Sequence, residues 1–313
     1  MHPAASVILF TVSSGLGYGM LFWLGAYALT HAPQPLIGLA TLGVALVLVT
    51  VGLLSSTFHL GHPERAWRAL SQWRSSWLSR EGVAALAVYR PAALMGLGLL
   101  WPEALAGAVV PAAVVTAVLA AVTVACTGMI YASLKPIPQW HIRATVPLYL
   151  AYAGAGGLLW FAALVRVLGA NPPFLVAPVA IAIVLAGAAL RIYWTRADAA
   201  RAGVTTAQAI GLAGDRHVTP LDPPHTEQNY IQREMGFRVA RKHAAKLRRL
   251  AETIGLWLPL VLTLFTLALS PPAGTAALVL AAFAFAFGAL VQRWLFFAQA
   301  THVVQLYYGA EAA

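Results

Sequence analysis

The chain has 313 residues and one cysteine, Cys126, which lies inside an apolar run. A single thiol permits no intrachain disulfide and no self-contained thiolate set for an iron–sulfur cluster. Charge is scarce as well. Asp, Glu, Lys and Arg together make up 10% of the residues, with 10 acidic against 20 basic. A soluble domain of this length needs a polar surface, and so few charges do not supply one. The opening MHPA has no basic segment ahead of the first apolar run, so that run is expected to be retained as a helix rather than cleaved as a signal. No convincing repeat relates the two halves.

Hydrophobic residues make up 60% of the chain. Residues 5–29 and 104–134 carry no charged side chain, and each run exceeds the ~20 residues that cross the hydrocarbon as a helix. Apolar segments fall at about 5–30, 36–60, 82–101, 105–134, 144–168, 173–194, 251–270 and 274–299. Backbone groups in lipid must be paired within their own segment, so these segments predict helices. The expectation is an all-α integral membrane protein, a bundle of eight transmembrane helices forming a single unit over 1–313.

The basic residues are unevenly placed. Arg65, Arg68, Arg74 and Arg80 lie between the second and third segments, and Lys135 and Arg143 lie between the fourth and fifth. Most of the rest fall in the long connection 195–250, whereas Arg166 is nearly alone on the opposite side. The positive-inside bias puts this basic face and both termini in the cytoplasm, which implies the cell inner membrane. The balance reads as a membrane and partner signal, not a nucleic-acid one. Within 195–250 the first half is rich in turn formers, and YIQREMGFRVARKHAAKLRRL reads as a basic amphipathic helix. Such a helix suits an anionic leaflet, or a peripheral partner seated on it.

Residues 59–82, HLGHPERAWRALSQWRSSWLSREG, gather two His, four Arg, two Glu and three Trp in a chain otherwise poor in charge. Trp67, Trp73 and Trp77 suit an interface belt. His59 closes one apolar run and Glu81 opens the next, so both fall near one membrane face. Arg90 lies about nine residues beyond Glu81, ~14 Å along a helix and inside the hydrocarbon, where a charge requires a partner or a polar cavity. An imidazole and a carboxylate can exchange protons, and an arginine can stabilise an anionic oxygen. The residues alone leave three readings open: a quinone or other proton-coupled site, salt bridges closing helix ends, and a transport pathway. On the same face lie Lys135, Trp140, His141 and Arg143 of YASLKPIPQWHIR. Arg293, His302 and the Tyr307–Tyr308 pair fall toward that face too, with Arg293 placed to snorkel to the interface.

FHLGHPERAWRAL followed by SWLSREG resembles the signature of the dimethyl sulfoxide reductase anchor-subunit family. YASLKPIPQWH, REMGFRVARKHA and RWLFFAQATHVVQLYY are similar to further segments of that family. The resemblance implies an eight-helix anchor that holds neither haem nor iron–sulfur cluster and exchanges electrons and protons with quinone or quinol. It also implies two partners, a molybdopterin catalytic subunit and a ferredoxin-like subunit with four [4Fe–4S] clusters. By motif it assigns the quinone site to His59, Gly61, Arg65 and Glu81; Arg90 and Arg293 are added from their depth in the membrane. Some relatives carry a glutamate one turn before the arginine of the last segment, where this chain has Ala289. The KPIPQW and LFFAQATHVV segments, with the inward charge bias, look closer to the anchor of a sulfite dehydrogenase that delivers electrons to quinone. The alternatives are a reductase anchor oxidising menaquinol, a haem b anchor and a transporter. A haem b anchor needs facing histidines within the helices. A transporter needs polar groups through the midplane.

Overall fold

A computed structural model describes residues 4–32, 34–58, 60–200, 205–212, 218, 221–222 and 239–308. It is helical, with no strand among the described residues. The long helices are α1 (Ala5–Thr30), α2 (Pro35–Thr57), α3 (Trp77–Leu100), α4 (Pro102–Ala132), α5 (Thr145–Val167) and α6 (Val176–Ala200). After the short α7 (Thr206–Ala209) come α8 (Val239–Glu252), α9 (Leu258–Phe265), α10 (Pro271–Ala298) and the short α11 (Val304–Tyr307). A 3₁₀ segment, Pro63–Leu70, precedes α3.

Punctuation by proline explains the tight connections. Pro35, Pro102 and Pro271 each open a helix, where the missing N–H is no loss and the ring presets the backbone angle. Within the helices, Thr11, Ser14, Thr116 and Thr123 return their hydroxyls to carbonyls of the preceding turn, so no hydroxyl of these four is stranded in an apolar interior.

Among the described residues, seven helices are long and apolar enough to cross a membrane. The segment expected at 251–270 is built differently. It is reached from α8 through a π-helical turn, Thr253–Trp257, and continues as α9. Pro259 supplies the reason: it has no N–H to give the carbonyl four residues back, and its ring crowds that carbonyl, which belongs to Gly255 within the π turn. Neither piece alone is long enough to span, so the described residues do not themselves establish a count of eight.

The bundle closes around α1, which packs against α2, α4 and α5. A Cβ at Gly19 would collide with the backbone of Ala153 and Gly157, and one at Gly157 would collide with Gly19 and Met20. Helices α1 and α5 therefore meet backbone to backbone. In lipid there is no hydrophobic drive between helices, so this close packing is what holds them. Gly255 and Gly288 make a similar contact between the π turn and α10.

Candidate functional site

One end of the bundle gathers the start of α3, the ends of α4 and α10, the start of α5 and the 3₁₀ segment. The Ser79 hydroxyl donates to the Ala69 carbonyl, and the end of the Leu70 side chain packs over Gly82, where a Cβ would meet it. These contacts bolt the tail of the 3₁₀ segment to the first turns of α3. Ser76 caps the helix by accepting from the Ser79 amide. Across the same end, the Trp140 indole donates to the Phe296 carbonyl at 2.9 Å. Gln139 donates to the Thr301 hydroxyl at 2.6 Å and accepts from the Thr301 amide at 3.2 Å.

Glu81 lies in the second turn of α3 and is only 4% exposed. It accepts a hydrogen bond from the Thr127 hydroxyl of α4, which also lies 3.0 Å from the Thr123 carbonyl. Glu81 makes no ion pair among the described residues. Its neighbour Arg80 turns away, donating to the Trp73 and Arg74 carbonyls at 3.0 and 2.7 Å and lying 4.2 Å over the Trp77 ring. The reading in which Glu81 closes a helix end by pairing with an arginine is therefore not what this packing presents.

Beside Thr127 the bundle encloses a cavity of about 20 Å³, also lined by Tyr18, Tyr149, Tyr152 and Arg293. A space of that size accommodates about one water. Arg293 is 3% exposed, and its guanidinium carbon lies 3.7 Å from the Tyr149 ring centroid. It does not snorkel as the sequence suggested. The aromatic faces of Tyr149 and Phe296 meet the cation inside the bundle instead. Nε and Nη1 of Arg293, with the Tyr18 and Tyr152 hydroxyls, have no hydrogen-bond partner among the described residues.

Gly61, Arg65 and Arg90 lie at the surface rather than in this interior group. Arg65 is 57% exposed and lies 3.7 Å from Glu64, which also meets His62 at 3.0 Å. Gly61 is exposed, with open space where a Cβ would stand. Arg90 is exposed on the outer side of α3, so the polar cavity expected for it is not the one at Thr127. His59 lies outside the described residues, as does the 230–238 part of the expected basic helix. Burial holds the His302 imidazole below its ordinary pKa, which suits its Nδ1 as acceptor from the Val304 amide at 3.0 Å.

Thr127, Tyr18, Tyr149 and Tyr152 are missed when the sequence is read alone. A threonine five residues from the end of an apolar helix carries no signal of its own. Its partner, Glu81, is 46 residues away.

Comparison with known proteins covers nearly the whole chain. The family model described as DMSO reductase anchor subunit (DmsC) matches residues 1–309. A sulfite dehydrogenase subunit of Allochromatium vinosum is 32% identical over 334 aligned positions, which cover all of both chains. With its long apolar helices and this match, the chain is an integral membrane protein that belongs to the DMSO reductase anchor subunit family.

Proposed function

We propose that the chain is the quinone-reactive membrane anchor of a molybdopterin oxidoreductase. In this reading it passes electrons between a four-cluster iron–sulfur partner and the quinone pool. The observation that carries the proposal is Glu81: a carboxyl buried at one end of the bundle, held by a hydroxyl rather than by an arginine. A structural ion pair would have placed a cation there. A proton-exchanging group instead needs a partner that tolerates both of its states. His59 hydrogen-bonds one quinone oxygen and exchanges a proton with it. Glu81 exchanges the second proton. Arg65, set in the exposed segment bolted to α3, steadies negative charge on the ring oxygens, and Gly61 keeps the approach open. In this reading the chain holds no haem or cluster of its own, and electrons reach the quinone from the partner's clusters.

The similarity to a sulfite dehydrogenase protein favours sulfite as the partner's substrate, with electrons flowing toward quinone. The composite of α8, the π turn and α9 is the remaining crossing of eight, and both termini lie in the cytoplasm. The partner docks on the face carrying 61–80, 135–143 and 230–249. There Arg68 lies 5.6 Å over exposed Trp67 and Arg74 lies 5.5 Å over exposed Trp73. Stacked Trp and Arg side chains are the residue types that anchor interfaces.

Two measurements test this. An azidoquinone photolabel applied to the membrane complex is expected to mark 58–82. Labelling confined to the apolar groove of about 250 Å³ between Ile183 and Leu260 would move the site to α6 and α9. A reporter joined after Ala313 is expected to show cytoplasmic activity, and periplasmic activity would reverse the orientation.

A further inference from the structure

We propose that Thr127 is a positioning residue for proton exchange, acting as a two-position switch that satisfies Glu81 in both of its protonation states. The proposal rests on the reading of Glu81 as the carboxyl that exchanges a proton with quinone.

A threonine hydroxyl has one hydrogen and two lone pairs. Around the Thr127 hydroxyl stand two groups able to accept that hydrogen, the Glu81 carboxyl oxygen and the Thr123 carbonyl 3.0 Å away. With Glu81 ionised, the hydroxyl donates to the carboxylate. When Glu81 gains a proton, its own O–H donates to the Thr127 oxygen, and the Thr127 hydrogen turns onto the Thr123 carbonyl. Thr127 keeps its hydrogen throughout. The proton that leaves Glu81 passes to the quinone oxygen, and the one that restores it enters at the carboxyl. On the Thr127 side the exchange needs only the rotation of its hydroxyl, in a site where Glu81 and Thr127 are both buried. Either charge state left without a partner there would be costly. Lysine or arginine at 127, with donors and no acceptor, would satisfy the ionised state and oppose the protonated one. A hydroxyl is suited to both.

The test uses the intact membrane complex carrying Thr127→Val, Thr127→Ser or Glu81→Gln. Turnover is measured with a short-chain ubiquinone analogue and with a soluble dye that bypasses the anchor. The carboxyl stretch of Glu81, identified by its loss in Glu81→Gln, is followed by infrared difference spectroscopy. In Thr127→Val, quinone turnover is expected to fall about fivefold or more, with dye turnover and the KM for quinone unchanged. The Glu81 band is expected to shift in that variant, and Thr127→Ser is expected to restore both rate and band. Wild-type turnover and an unmoved band in Thr127→Val, beside an inactive Glu81→Gln, would overturn the switch and leave the quinone reading standing. A fully active Glu81→Gln would overturn the quinone reading itself. If Thr127→Val does not assemble, Thr127→Ala takes its place. Failure of both to assemble, with Thr127→Ser intact, would show a purely structural bond and end the proposal.

Discussion

Glu81→Gln is expected to cut quinone-linked turnover of the assembled complex at least tenfold, about 1.4 kcal/mol of transition-state stabilisation, while dye-linked turnover is unchanged. Gln keeps the shape and can still accept from Thr127, so the packing of α3 on α4 survives the change. It cannot carry a proton to an oxygen. His59→Ala, made alongside, is expected to show the same divergence between the two assays. Dye turnover reports that the partner subunits and their seating are intact; quinone turnover reports the anchor. Undiminished quinone turnover in both variants would remove these residues from the proton route. Loss of both activities together would show a structural role.

The second large effect lies where α1 meets α5. Gly157→Ala is expected to cost about 3 kcal/mol or more, because the added methyl meets backbone rather than a side chain that can turn aside. The matched control is Gly154→Ala, one turn earlier on the same helix, where a Cβ meets nothing within 4 Å. Thermal inactivation of dye-linked and quinone-linked activity should separate the two, with Gly157→Ala lowering its midpoint or failing to accumulate in membranes. Equal midpoints for the two variants would mean that α1 and α5 can part without penalty. Such a result would contradict the close approach of these helices.

How far the sequence could be read depended on the kind of information each feature needs. Helix positions followed from run length, and Pro35, Pro102 and Pro271, which act locally, open three of the helices. The segment at 251–270 was legible as apolar but not as interrupted, because the effect of Pro259 on Gly255 lies in hydrogen-bond geometry rather than hydropathy. Glu81 was found from its position at the start of an apolar run. Its partner was not, since Thr127 belongs to another helix and no pattern within α4 marks it out. Arg293 was expected to reach outward to the interface, and it is buried against Tyr149 and Phe296 instead: position along a helix does not say which way a side chain turns, and neighbours decide that. Tyr149 is such a neighbour. The motif assigned Arg65 and Glu81 to one site, and the guanidinium lies beside the adjacent Glu64.

The clasp between Gln139 and Thr301 joins residues 162 positions apart, and the Trp140–Phe296 bond spans 156. During synthesis the loop after α4 therefore emerges long before the residues that complete it. Until α10 has been inserted, Tyr149 lacks its cation and Trp140 lacks its acceptor. The end of the bundle that holds Glu81 is thus completed late in translation. A ribosome that stops before α10 releases a chain with spanning helices but an unfinished face, and a partner that recognises the finished face has a means of telling the two apart.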